Sequence, residues 1–288
     1  MTLAPESGTT VTLLGTGSPL PTGQHAGPAT LVRAGDAVLL ADCGRGVVMR
    51  LAAVGVFPVG LSAVLLTHLH SDHICDLNDV ITTHWVMTSG PTPLRVIGPP
   101  GTRQVVDGIL VMLALDQGYR RSHHADLRYP IDVAVAEIGP GAALDIRGAR
   151  VLTAATDHRP VRPTVGYRIE HAGTAVVIGG DGVPCAGLDE LCAGADVYVQ
   201  TVVRADLIDR VGSARLRDIL TYHSTIEQAA QTAERAGVRI FLPTHFLPAI
   251  APGDEEAWRS LAAAHFGGEI VIGGDLTTAR ADAGPPAG

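Results

Sequence analysis

Thr67-His68-Leu69-His70-Ser71-Asp72-His73 directly follows the apolar run Ala63–Leu66 and opens a helical pattern. In extended backbone, alternate side chains share a face, so His68 and His70 can reach one metal together. The chain then turns, and Asp72 and His73 point at a second centre beside the first. Imidazole nitrogen with carboxylate oxygen and no thiolate suits zinc, and less selectively manganese or iron. A lone histidine is most often a hydrogen-bonded core residue. Three histidines and an aspartate in one short turn instead mark a metal site.

Two centres need more ligands than this motif holds. His158, in Thr156-Asp157-His158-Arg159-Pro160, ends a strand pattern and precedes a proline loop. Asp181 ends another strand inside Gly179-Gly180-Asp181-Gly182, where glycine allows close backbone approach. His245 follows the strand pattern Arg239–Leu242. Taken alone, each has a plain alternative as a capping aspartate or a hydrogen-bonded histidine. Taken with the first motif, they place His68, His70 and His158 on one metal and Asp72, His73 and His245 on the other, with Asp181 bridging.

Around these residues, short Val-, Leu- and Ile-rich runs predict strands at Thr10–Gly15, Thr30–Arg33, Ala37–Ala41, Ala63–Thr67, Leu94–Ile97, Asp132–Ile138, Arg150–Thr156, Val165–Ile169, Thr174–Ile178, Val197–Val202, Arg239–Pro243 and Glu269–Ile272. Helical patterns cover Gly46–Val54, Asp72–Met87, Thr102–Leu115, Leu188–Ala195, Ile226–Gly237 and Asp254–Ala264. Ser224 followed by Glu227 reads as a capping box for one of these helices, with Gly237 as its stop. No linker or composition shift divides the chain, so a single α/β domain over residues 1–288 is expected, with a frayed tail over 281–288.

These motifs, with Leu14-Gly15-Thr16-Gly17-Ser18-Pro19, Gly166-Tyr167-Arg168-Ile169, Tyr222-His223-Ser224-Thr225 and Thr244-His245-Phe246, resemble the metallo-β-lactamase superfamily and within it the RNase Z-like group. The resemblance covers nearly the whole chain, and the His-Ser-Thr element is its most specific part. It implies an αββα sandwich with two Zn2+ held between loops at one edge of two facing sheets. It also implies a phosphodiesterase in which a metal-bridging hydroxide attacks phosphorus. Asp72 would hold a metal and orient the nucleophile, and His223 would donate a proton or hydrogen bond to the leaving group. Arg159, Arg162 and Arg168 are the basic residues nearest a ligand in sequence, and an arginine fork there would hold a phosphate or sulfate oxygen.

Two features depart from the tRNA-processing pattern. Gly27-Pro28-Ala29-Thr30-Leu31-Val32 resembles the arylsulfatase-type members, as does Asp116–Leu127, where Tyr119, His123 and His124 are candidate pocket-lining residues. The interval from His158 to Asp181 is filled by strand, turn and strand, so it has no room for the basic arm that grips tRNA. A small phosphodiester is therefore the first expected substrate. The alternative is arylsulfatase-like hydrolysis of small anionic esters such as a sulfate ester, or tRNA 3′-processing endoribonuclease activity on RNA despite the missing arm. A non-catalytic metal-containing ligand-binding module is the reading from another class.

Composition narrows the field further. The 288 residues carry a net charge of −8, and every basic residue is arginine. Without lysine there is no P-loop and no Schiff-base chemistry, and an acidic total disfavours a generic nucleic-acid coat. Gly15-x-Gly17 is no dinucleotide fingerprint, because Pro19 and Pro21 stand where a helix should begin. Cys43, Cys75, Cys185 and Cys192 lack C-x-x-C spacing and read as buried free thiols. Met1–Thr10 has neither a basic start nor an apolar core, and no run approaches the ~20 apolar residues of a membrane span. A cytoplasmic enzyme is expected, with a homodimer implied by the resemblance alone.

Overall fold

The computed structural model describes residues 8–281. Its strands are β1 Thr9–Gly15, β2 Ala29–Ala34, β3 Ala37–Ala41, β4 Ala63–Leu65, β5 Leu94–Gly98, β6 Val133–Glu137, β7 Ala143–Ile146, β8 Ala149–Ala155, β9 Val165–His171, β10 Thr174–Ile178, β11 Val197–Val203, β12 Ile240–Leu247, β13 Glu269–Ile270 and β14 Thr278–Ala281. They form two seven-stranded sheets, ordered β14-β1-β2-β3-β4-β5-β6 and β13-β12-β11-β10-β9-β8-β7. In the first sheet β3 to β6 run parallel, and in the second β10 to β13 do. The helices are α1 Val47–Ala53, α2 Ser71–Ile74, α3 Leu77–Met87, α4 Thr102–His123, α5 Ala186–Cys192, α6 Ala205–Arg210, α7 Ala214–Asp218, α8 Ile226–Ala236 and α9 Glu255–Ala263.

Period-two alternation sorts the side chains into layers. Leu39 and Ala41 of β3, Val197 and Val199 of β11, and Ile240 and Leu242 of β12 meet in the core between the sheets. Their neighbours face outward: Tyr198 and Phe241 pack under α5, α8 and α9, while Leu40 and Val64 pack under α1, α3 and α4. Central strands buried on both faces read as continuous apolar runs, and each sheet therefore needs a helical layer outside it. The result is the expected αββα sandwich.

The sheets are also tied by hydrogen bonds at the edge where the ligand motif emerges. Tyr167 Oη, on β9, donates to the Leu66 carbonyl at 2.7 Å, and Val165 N donates to the Thr67 carbonyl at 3.0 Å. Both acceptors immediately precede His68, so the second sheet fixes the backbone that carries the ligands of the first.

Several expectations need correction. The helix expected over Asp72–Met87 is two helices, α2 and α3, because the chain bends at Cys75-Asp76 to let Asp76 accept from Gly46 N. The helix expected to stop at Leu115 continues to His123. The capping box belongs to Thr225 and Gln228, since the Ser224 hydroxyl donates to the Gly182 carbonyl instead; Gly237 does end the helix, at φ 67°. Ala281, assigned to a frayed tail, closes β14 against Thr9, and the rest of that tail lies outside the described residues. All four cysteines are free, yet only Cys43 and Cys192 are buried.

Replacing Tyr167 with Phe leaves the Leu66 carbonyl without its donor inside the core. The expected cost is about 1–3 kcal/mol, seen as a lower denaturant midpoint with an unchanged slope. A midpoint equal to wild type would show that the tie contributes nothing.

Candidate metal centre

Parallel strands deliver their C-terminal ends to one edge, and the chemistry-bearing loops collect there. The turn after β4 supplies His68, His70, Asp72 and His73, and the loops after β8 and β10 supply His158 and Asp181. His223 immediately precedes α8. His245 lies within β12 at a register shift against β11, with φ of 50°.

The structure brings these residues into two trios. His70 Nδ1 lies 3.2 Å from both His68 Nε2 and His158 Nε2. Asp72 Oδ2 lies 3.2 Å from His245 Nε2 and 3.6 Å from His73 Nε2. Asp181 stands between them, its Oδ2 at 3.3 Å from His73 Nε2, 3.7 Å from His245 Nε2, and 3.8 Å from the Nε2 atoms of His68 and His158. Nitrogens bound tetrahedrally at zinc distances lie about 3.3 Å apart, which matches the first trio. His73 Nε2 and Asp181 Oδ1 are buried without a hydrogen-bond partner, as lone pairs aimed at a cation would be. The donor set fits a divalent metal.

Neighbouring groups fix which nitrogens face inward. Asp42 accepts from the Thr67 amide at 2.9 Å through Oδ1. Its Oδ2 accepts from the Thr67 hydroxyl at 2.9 Å and from His73 Nδ1 at 2.8 Å. Thr67 Oγ1 then accepts from His68 Nδ1 at 3.0 Å, and the Tyr222 carbonyl accepts from His158 Nδ1 at 2.8 Å. Each Nε2 is thereby left with its lone pair toward the cluster. Asp42 holds this position at φ 61°. Gly180 precedes Asp181 at φ 68°, where a Cβ would come within 2.9 Å of Thr67, and its carbonyl accepts from Gln200 and Thr201.

The electrostatics agree with this geometry at His68, His70 and His158, whereas His73 is drawn toward its charged form by the carboxylates beside it. Burial pushes His68 well below the ordinary imidazole range and lowers His70 and His158, so all three are neutral ligands near pH 7. Burial alone would raise the Asp181 carboxyl, but His245, His73 and His223 outweigh it and hold it well below the usual range. His73 is likewise pushed down by burial and carried well above its ordinary value by Asp181 and Asp42.

A cavity of about 240 Å3 opens on the cluster. His70, Asp72, Asp181, His223 and His245 form one side, with His223 Nε2 at 3.1 Å from Asp181 Oδ2. Pro19, Leu20, Leu216, Ile219 and Leu247 form an apolar wall, joined by Arg215 and Tyr222. The loop carrying Pro19 and Leu20 is anchored by Asp275, which accepts from the amides of Thr16 and Ala26 at 3.0 and 2.7 Å and pairs with Arg50 at 2.9 Å.

The expected substrate contacts fall elsewhere. Arg159 is committed to Asp157 at 2.7 Å and opens, with Arg162, onto a neighbouring groove. Arg168 is bound to Glu170 and to the carbonyls of Leu191 and Ala193. Tyr119, His123 and His124 are exposed at the end of α4. It is the first turn of that helix, beside Leu69, that approaches the ligand loop, and the three residues lie about 25–33 Å farther along the helix axis. Sequence reasoning missed Asp42, Asp275, Arg215, Leu216 and Ile219. Only Asp42 had a local signal, as a polar residue between strand β3 and Cys43-Gly44.

Replacing Asp42 with Ala frees His73 and Thr67 together. Metal affinity is expected to fall about 10–100-fold, as for other lost ligand-orienting partners, in a chelator competition. Unchanged affinity would assign Asp42 a purely structural part.

Comparison with known proteins agrees with this site. Residues 38–246 match the beta-lactamase superfamily domain. A Ribonuclease Z of Mycobacterium bovis is 55% identical over 268 residues, spanning 92% of this chain and 96% of the relative. A metallo-beta-lactamase fold protein of Bacillus subtilis superposes with a TM-score of 0.73 at 21% identity, over 96% of this chain and 100% of that one. The short form of human tRNase Z superposes at 0.68 with 23% identity, over 94% and 98%. High identity along nearly all of its length, on the shared sandwich, makes this chain a member of the ribonuclease Z family within the beta-lactamase superfamily.

Proposed function

We propose that the chain is a metal-dependent hydrolase that cleaves phosphodiesters in the cavity beside Asp181, with two Zn2+ as its cofactors. The observation that carries this reading is the position of Asp181 Oδ2 between two ligand trios, with His223 3.1 Å away on the cavity side. His68, His70 and His158 would hold one cation, and Asp72, His73 and His245 the other, with Asp181 shared. Bound there, divalent cations supply Lewis acidity, lowering the pKa of water and stabilising charge on phosphoryl oxygens.

The chain's own groups do the rest. Asp72 lines the cavity and accepts a hydrogen bond from the attacking water, orienting it toward phosphorus. His223 is buried, with its Nδ1 facing the Ile219 carbonyl at 3.4 Å and its Nε2 on Asp181 Oδ2 at 3.1 Å; with Asp181 committed to metal, that Nε2 would be released to the substrate. From that place it donates to the departing ester oxygen. A cavity of about 240 Å3 accepts one esterified group rather than a folded polymer. Between β9 and β10 there is only the tight turn at Ala172-Gly173, so no arm reaches out to grip an RNA body. A small phosphodiester is therefore the favoured substrate, and an RNA is engaged only by its end. The homodimer implied by the resemblance would use α4, whose Val111, Met112, Leu115 and Tyr119 stand exposed.

Zinc-loaded enzyme assayed side by side should turn over bis(p-nitrophenyl) phosphate faster than an aryl sulfate or a pre-tRNA; hydrolysis of the sulfate alone would overturn the reading. Asp181→Ala should lose both metal and activity. His223→Ala should retain its metal while turnover falls about 10²–10⁴-fold. Loss of metal in that second variant would make His223 a ligand.

A further inference from the structure

We propose that Arg215 and the apolar wall beside it form a second anion subsite, selecting phosphodiesters that carry another phosphate one unit away from the scissile bond. This rests on the phosphodiesterase reading of the same cavity. Arg215 sits on α7, whose start is capped by Ser213 accepting from Leu216 N. Helical spacing places Arg215, Ile219 and Tyr222 along one side of the segment, and all three line the cavity with Leu216. Ile219 is in turn locked to the catalytic side, because its carbonyl accepts from His223 N at 3.0 Å.

Position decides what the guanidinium can hold. The reacting phosphoryl group belongs against Asp72, Asp181 and His223. Arg215 lies a full turn beyond Ile219 and is exposed at the rim, so it meets an anion farther out. Between the two lie Leu20, Leu216, Ile219 and Leu247, a surface suited to a nucleobase or aryl ring rather than to charge. Other arginines near the site are already committed: Arg159 to Asp157, Arg168 to Glu170, and Arg204 to Asp206. Among the described residues, Arg215 is the only arginine lining this cavity, and no carboxylate is paired with it there. An unpaired guanidinium beside an apolar wall complements a terminal phosphate on a nucleoside-sized group.

The test uses metal-loaded enzyme with two non-hydrolysable phosphonate analogues of a dinucleotide, one bearing a 5′-terminal phosphate and one lacking it. The corresponding diesters serve for kinetics, with bis(p-nitrophenyl) phosphate as a control. Wild type should bind the phosphorylated analogue about 10–100-fold more tightly, the range of a hydrogen bond to a charged group. Arg215→Ala should erase that preference through KM and leave metal content unchanged; Arg215→Lys should restore part of it. Equal binding of the two analogues by wild type, or an equal loss for both in Arg215→Ala, overturns the subsite. Preferential binding through Arg215 without turnover of any diester would uphold the subsite and overturn the phosphodiesterase reading instead.

Discussion

A carboxylate at the centre of a protein, ringed by imidazoles, is the constraint on which this structure depends. Asp181 is 3% exposed, and its Oδ2 lies within 3.8 Å of nitrogens from His68, His73, His158, His223 and His245. A buried charge is tolerated only when it is paired and hydrogen-bonded. Here its partners come from both sheets, so the sandwich has to close for the carboxylate to be satisfied. Folding and ligand assembly are one event at this edge, which is why the inter-sheet bonds of Tyr167 and Val165 end on the residues just before His68.

Left-handed backbone is put to use at the same place. Asp42 at φ 61° and His245 at φ 50° occupy a region costly for residues with a Cβ, and both act on the cluster. Asp42 uses its conformation to aim one carboxylate at Thr67 and His73 together. The kink at His245 lets a strand residue turn its ring toward Asp72, while Phe246 N donates to the Thr16 carbonyl and holds the kink. That bond links the ligand to the Thr16–Ala26 loop, and so to Asp275. The wall of the cavity and the floor of the metal site therefore share one set of backbone anchors.

Much of this was legible in the sequence, for physical reasons that differ by residue. The residues that gather around Asp181 could be picked out because metal binding demands particular side chains at particular spacings, and His68 to His73 meet that demand within one turn. Layering could be read because strands buried on both faces are continuous apolar runs, as in Val197–Val203. Asp42 was hidden because its one local sign, a polar residue at the end of β3, says nothing of its contact with Thr67 and His73. Tyr119, His123 and His124 misled because a resemblance of Asp116–Leu127 to the arylsulfatase-type members gave them a pocket role, whereas α4 runs on to His123 and leaves them exposed at its far end. Ser224 misled because two neighbouring hydroxyls could each cap α8, and only tertiary structure gives one of them to the Gly182 carbonyl.

Net charge and substrate can now be connected. A chain of −8 without a lysine is a poor surface for a long polyanion, which needs many distributed cations. On the proposed reading, positive charge toward phosphate is concentrated at two places instead: the metal that the Asp181 cluster would hold, and the guanidinium of Arg215 at the rim. Arg215 and Ile219 lie on the segment between β11 and α8, which belongs to neither sheet and also carries Tyr222 and His223, whereas Asp181 and the other histidines of the cluster sit at the ends of core strands or within them. On the proposed reading, a substitution at the exposed Arg215 would change which ester enters without disturbing the buried carboxylate, whereas one at Ile219 or Tyr222 would also reach His223 and His158, whose backbone and ring those two carbonyls hold.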